Sequence, residues 1–141
     1  MRTEPSPRGT VVDANVLLDL FTEDPVWLAW SRDALGEAID VGPVIINPII
    51  YAEISVRFER IEELENALPG QIEREDLPWE AAFVAGKCFR EYRRRGGTKR
   101  SPLPDLYIGA HAVVTGRVLL TRDPARYRTM LPSLTLVSPQ S

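Results

Sequence analysis

The sequence predicts an α/β fold of three layers, α/β/α, with a central, mostly parallel sheet covered by helices on both faces. Two observations carry this. Short, wholly apolar segments (VV at 11–12, VII at 44–46, VLL at 118–120) alternate along the chain with stretches of helical period. None of these segments shows the apolar/polar alternation of a strand with one wet face, so each reads as a strand buried on both sides. A chain of 141 residues, 44% hydrophobic and 26% charged, suits one domain that buries enough surface to fold without a covalent staple.

Taken in order, residues 1–9 (MRTEPSPRG) form a polar, proline-rich, flexible tail without the apolar centre of a signal peptide, and 10–141 form the single domain. VVDA, 11–14, is the first strand. A short helix starts near Asn15, and another covers 25–38, carrying Trp27, Trp30, Leu35 and, near its end, Ile39. Gly42 and Pro43 break the chain before a second strand, VIIN at 44–47. Pro48 opens a long helix at the first helical position, where its missing N–H does no harm. Ile50, Ile54, Phe58, Ile61, Leu64 and Leu68 fall on one stripe of that helix, and Pro69-Gly70 ends it.

QIEREDL, 71–77, reads as an extended connection. Pro78 begins a third long helix that packs through Trp79, Ala82, Phe83, Gly86 and Phe89 and stops at Gly96-Gly97. The loop GGTKRSPLP leads into a helix over 103–115, whose face of Ile108, Gly109, Ala112 and Val113 is small enough to lie close against a sheet. RVLLT, 117–121, is a strand, 124–131 a short helix or loop, and LTLVS, 134–138, the last strand.

Composition excludes some classes. No run approaches the roughly 18 apolar residues of a membrane span. The lone cysteine, Cys88, has no internal partner for a disulfide, which fits a reducing, cytoplasmic setting. The net charge of −3 hides a basic stripe, since seven of the 17 basic residues fall in 87–100: Lys87, Arg90, Arg93, Arg94, Arg95, Lys99 and Arg100. On composition alone the stripe is the solvated end of a helix, where cations are favoured. Beside a site for phosphates it becomes a grip for a polyanion.

Most of the 20 acids read as surface, and four do not. Asp13 follows the first strand, and Asp123 follows VLLTR at the end of a later one. Glu53 lies beside Ile54, about one turn into the helix after the second strand. Asp105 lies in the first turn of the helix carrying Ile108 and Gly109. In a parallel sheet the strand ends and the starts of the following helices share one edge, where ligands bind. The four carboxylates are therefore expected to converge. Taken alone each has a plain role: Asp13 an Asx-turn, Asp105 a dipole-complementing acid, Asp123 a turn residue, Glu53 a half-exposed side chain. Together they repel unless a cation sits among them, and oxygen ligands of this kind suit Mg²⁺ or Mn²⁺. Asn15 and Thr121 add neutral oxygens as supporting partners. Such a cluster, with no histidine or cysteine in it, points to phosphate-ester chemistry.

The segments VVDANVLLDL, NPIIYAEI, LPDLYIGAHA and LLTRDPARYR together resemble the PIN-domain family, and in particular the VapC-like toxins of type II toxin–antitoxin pairs, over about 11–138. Asp13, Glu53, Asp105 and Asp123 match the family's acidic quartet, with Asn15 and Thr121 at its accompanying polar positions. The resemblance implies a PIN-like fold and a Mg²⁺- or Mn²⁺-dependent endoribonuclease whose products carry 5′-phosphate and 3′-hydroxyl ends. It also implies a homodimer and a small cognate antitoxin that blocks the site. Arg93, Arg94, Arg95, Lys99 and Arg100 are then candidate contacts to RNA phosphates.

Two other readings compete. One is a catalytically silent PIN-like module that binds RNA or a protein. The other is an aspartyl-phosphate phosphatase or receiver, weakened by Asn15 where the phosphatase pattern wants a second acid. His111 reads as structural, because six residues turn it away from Asp105 on a helix. Cys88, Trp27, Trp30 and Trp79 read as packing residues.

Overall fold

The strands predicted from short apolar runs form the middle of a five-stranded sheet. The computed structural model describes residues 8–98 and 103–139. Its elements run β1 (Thr10–Val12), α1 (Ala14–Thr22), α2 (Leu28–Val41), β2 (Val44–Ile46), α3 (Pro48–Ser55), α4 (Ile61–Ala67), β3 (Ile72–Arg74), α5 (Trp79–Arg94), α6 (Leu103–Val114), β4 (Val118–Leu120), α7 (Ala125–Arg128) and β5 (Leu136–Val137). The sheet order is β3-β2-β1-β4-β5, and every pairing is parallel. All side chains of β1, β2 and β4 are buried. Successive side chains of a strand point to opposite faces, so helices cover the sheet on both sides, as the apolar runs require. Residues 1–7 of the expected tail, and Lys99 and Arg100 of the basic stripe, lie outside the described residues.

Three local expectations need correction. QIEREDL contributes β3, pairing Val44 with Ile72, Ile45 with Glu73 and Ile46 with Arg74. Edge strands bond through the backbone on one side only, so they need no apolar triplet, and charged side chains such as Glu73 and Arg74 protect the open edge. The long helix from Pro48 is two helices. Ser55 Oγ donates to the Tyr51 carbonyl, 2.6 Å, near the end of α3, and the Glu63 carboxylate accepts from Arg60 N, 3.1 Å, to start α4. Between them Phe58 meets Phe21 of α1 edge to face, with ring centroids 5.4 Å apart. The third helix also turns a different face inward. Ala81 and Ala85 are fully buried, while Trp79 is 91% and Phe83 66% exposed. Small residues let α5 lie close along α6, its main neighbour, and the helical period alone did not separate that stripe from the aromatic one.

Helix α6 is the central support. Leu106, Ile108, Gly109, Ala110, His111 and Ala112 are all buried. The small residue Gly109 serves contacts beyond the sheet: a Cβ there would meet Leu131 Cδ1 at once, with Leu134 Cδ2 at 3.2 Å and Tyr127 Cδ1 at 3.4 Å. The glycine therefore seats α7 and the following segment.

His111 is structural, as expected, and its tautomer is fixed by neighbours. Asn47 Oδ1 accepts from Ile50 N at the start of α3, 3.0 Å, so its Nδ2 faces His111 Nδ1, 3.0 Å. Nδ1 must accept there, which leaves Nε2 to donate to Glu75 Oε1, 2.9 Å. Arg117 Nη1 donates to the same Glu75 oxygen, 2.6 Å, and with His111 holds that carboxyl below its usual range. This network ties α3, α6, the β3 edge and β4 together, fixing the helices that carry Glu53 and Asp105.

The core's weight rests on residues such as Leu119, fully buried in the strand between β1 and β5. Leu119→Ala is expected to cost about 2–5 kcal/mol, read as a lower urea midpoint at unchanged slope.

Candidate active site

Strand order reverses at β1 and β4: the chain steps from β1 to β2 on one side, while β4 and β5 lie on the other. Such a reversal opens a crevice at the carboxyl ends of the strands. Asp13 N donates to the Leu120 carbonyl, 2.9 Å, so the ends of β1 and β4 are in register there.

Asp13 is 1% exposed and caps α1, with Oδ1 accepting from Ala14 N at 2.8 Å. Its Oδ2 accepts from Thr121 Oγ1, 2.9 Å, from Tyr127 OH, 2.8 Å, and weakly from Asn15 Nδ2, 3.5 Å. Burial still wins and pushes the carboxyl above its usual range, against the pull of the Tyr127, Thr121 and Ala14 hydrogen bonds. Asn15 and Thr121 are both joined to the Asp13 carboxylate by hydrogen bonds. Asn15 Oδ1 accepts from Arg122 N, 3.2 Å, which aims its Nδ2 at Thr121 Oγ1, 3.2 Å. Thr121 Oγ1 also accepts from Asp123 N, 3.1 Å, linking the two strand-end acids through one hydroxyl.

Glu53 is half-buried on α3 and its carboxyl is raised to about 7, first by burial and then by the charges of Asp13 and Asp105, with Arg126 opposing. Asp105 lies in the first turn of α6 with a largely buried side chain. Asp123 is half-exposed after β4. Arg126, on α7, stands among them: its Nε is 3.7 Å from Asp105 Oδ2 and 3.5 Å from Asp123 Oδ2. The structure thus gathers the four acids into one electrostatic neighbourhood. It does not close them into a coordination sphere, since among the described residues no three His, Cys, Asp or Glu side chains are arranged to hold a metal as they stand. The donor set itself, all oxygen and mutually repelling, fits a hard divalent ion.

The basic stripe is placed in part. Arg95 Nη2 donates to the Thr129 carbonyl just past α7, 2.8 Å, bringing the end of α5 beside the site. Arg94 pairs with Glu91 at 3.2 Å, and Arg93 is exposed.

A family model, described as PIN domain, matches residues 10–129. The chain belongs to the PIN-domain family. Among curated protein sequences none matches it. Solved structures share the PIN fold at low identity. VapBC2 from Rickettsia felis bound to a promoter DNA fragment superposes with a TM-score of 0.72 at 18% identity, over 92% of this chain and 97% of that one. DNA-bound VapBC from Salmonella typhimurium gives 0.72 at 19%, over 92% and 97%. A toxin–antitoxin complex from Klebsiella pneumoniae gives 0.68 at 22%, over 94% and 99%.

Three residues of this PIN domain's site escaped the sequence reading. Tyr127 is fully buried, and burial together with the Asp13 charge raises its hydroxyl far above the usual phenol range, so it keeps its proton and donates it to Asp13 Oδ2. Arg126 carries no signal in the sequence that sets it apart from the other arginines. Asp19, 2% exposed, accepts from Ser31 Oγ at 2.7 Å and pairs with Arg122 Nε at 2.9 Å, and the Arg122 guanidinium lies 5.4 Å from the Trp27 ring centroid. That latch fixes Arg122, hence Asn15. An acid set three residues after Val16, on the apolar stripe of α1, was the available signal.

Proposed function

We propose that this PIN domain is a VapC-like, Mg²⁺- or Mn²⁺-dependent endoribonuclease toxin acting in the cytoplasm. The observation that carries the reading is the gathering of Asp13, Glu53, Asp105 and Asp123 at the β1/β4 crevice, with Glu53 raised to about 7 by burial and its like-charged neighbours. These four would hold the ion, and Asn15, Thr121 and Tyr127 would keep Asp13 in place. When bound, the ion supplies Lewis acidity toward the phosphate and lowers the pKa of the attacking water. Glu53 is poised to hold or release a proton near neutral pH, and Arg93, Arg94, Arg95, Lys99 and Arg100 grip the flanking backbone.

A small antitoxin and a second copy of the chain are the proposed partners. Large apolar side chains left open on the surface (Val26, Val56, Ile61, Trp79, Phe83) support such docking, as do the toxin–antitoxin complexes among the structural neighbours. The aspartyl-phosphate alternative lacks support. Asn15 stands where the phosphatase pattern wants a second acid, and a receiver wants a lysine at the site, whereas Lys87 lies over the Phe83 ring, 5.2 Å from its centroid.

The test is incubation of purified protein with total cellular RNA in Mg²⁺ or Mn²⁺, with sequencing of the new 5′ ends. Discrete ends that EDTA abolishes are expected. Binding without cleavage in either metal would instead favour the silent module.

A further inference from the structure

The arginines that pair with carboxylates differ in how they are held. Arg122 bonds the buried Asp19 at 2.9 Å and stacks over Trp27; Arg117 bonds Glu75 at 2.6 Å with a side chain only 15% exposed. Both are fixed parts of the scaffold. Arg126 meets Asp105 and Asp123 only at 3.7 and 3.5 Å, beyond the 2.7–3.2 Å of a formed N–H···O bond, and its side chain is 42% exposed. Its charge also reaches Asp13 and Glu53. It is therefore a cation placed among all four acids that makes no close hydrogen bond to either Asp105 or Asp123. A loose Coulombic pairing at a half-open mouth is exchanged at little cost. A planar guanidinium is also well shaped to take a phosphate through two parallel hydrogen bonds.

Resting on the nuclease reading above, we propose that Arg126 serves the site in two turns. In the metal-free protein its guanidinium neutralises Asp105 and Asp123. When a divalent ion takes those carboxylates, the released guanidinium binds the non-bridging oxygens of the scissile phosphate. Arg126 is thus both the ion's internal competitor and a substrate-contacting residue. No bond is made or broken by it; only ion pairs are exchanged.

Arg126→Gln separates this from a passive surface pairing. Direct Mn²⁺ titration, read by calorimetry and by the loss of the free-ion spin-resonance signal, should show affinity increased about five- to tenfold. Cleavage of total RNA at saturating Mn²⁺ should fall by at least tenfold, with Arg126→Lys between Gln and wild type on both readouts. Mn²⁺ affinity that is unchanged or weaker in Arg126→Gln overturns the competition, and undiminished cleavage at saturating Mn²⁺ overturns the phosphate contact. A wild-type protein that binds no Mn²⁺ overturns the nuclease reading and this inference together, whereas wild type that binds Mn²⁺ and cuts RNA leaves the variant to decide this inference alone. Arg126 is half-exposed on a four-residue helix, and equal melting temperatures confirm that the comparison is between folded proteins.

Discussion

Asp13→Asn is expected to lower metal-dependent RNA cleavage by about 10³-fold or more while the domain stays folded. A metal site contributes several kcal/mol of charge stabilisation to phosphoryl chemistry, and 4 kcal/mol corresponds to about 10³ in rate. Asp13 is the acid most firmly positioned, with Ala14 N, Thr121 Oγ1 and Tyr127 OH all within 2.9 Å of its oxygens. An amide keeps one acceptor oxygen but offers no charge and faces the ion with an NH₂ group. The fold tolerates the exchange. The carboxyl of Asp13 is raised in the folded protein, mainly by burial. Its ionised form therefore costs stability as pH rises from the ordinary value of 3.8 through the folded one. Asparagine removes that cost at neutral pH, and the Tyr127 hydroxyl can rotate to accept from the new amide. Melting temperature should be unchanged or higher. Purified Asp13→Asn that cuts total RNA at the wild-type rate would remove Asp13 from the metal site.

That Asp13 could be singled out from sequence, and Tyr127 could not, has a physical cause. Asp13 breaks an apolar pattern locally: two fully buried valines precede it and a helix follows. Thr121 and Asp123 announce themselves in the same way after β4. The bond from Tyr127 spans 114 positions. In sequence Tyr127 is one aromatic among polar neighbours, and only the turn after Pro124 and the close packing against Gly109 carry it inward. Strands β1, β2 and β4 were legible because burial on both faces demands short unbroken apolar runs, whereas β3 is held by backbone bonds at an edge and leaves no such signature. The α5 face was misread because Ala81/Ala85 and Trp79/Phe83 repeat with one period, and the choice between them is made by the close approach of α6. The nearness of the four acids was legible from their positions at strand ends and helix starts; the cation among them was not, since Arg126 reaches them only through α7.

The pH dependence should centre on Glu53. Its carboxyl is raised from 4.5 to about 7 by burial, then by the charges of Asp13 and Asp105. Below that value it carries a proton and is lost as an anionic ligand or base. Cleavage at limiting metal should therefore rise about tenfold per pH unit up to about pH 7 and then level, leaving about 100-fold less activity near pH 5. The sign for stability runs the opposite way. The folded value lies above the ordinary one, so the metal-free protein binds the extra proton and loses stability as pH rises from about 4.5 through about 7. A divalent ion reverses the balance, because it displaces that proton and needs the ionised carboxylate. Mn²⁺ should accordingly raise the melting temperature more near pH 8 than near pH 6. Glu53→Gln should flatten the rate profile and shrink the pH dependence of the Mn²⁺-induced shift. A wild-type rate that is level from about pH 5 to pH 8, with an equal Mn²⁺ shift at both ends, would mean that Glu53 does not face the ion. The like charges that perturb it would then be balanced by Arg126 alone.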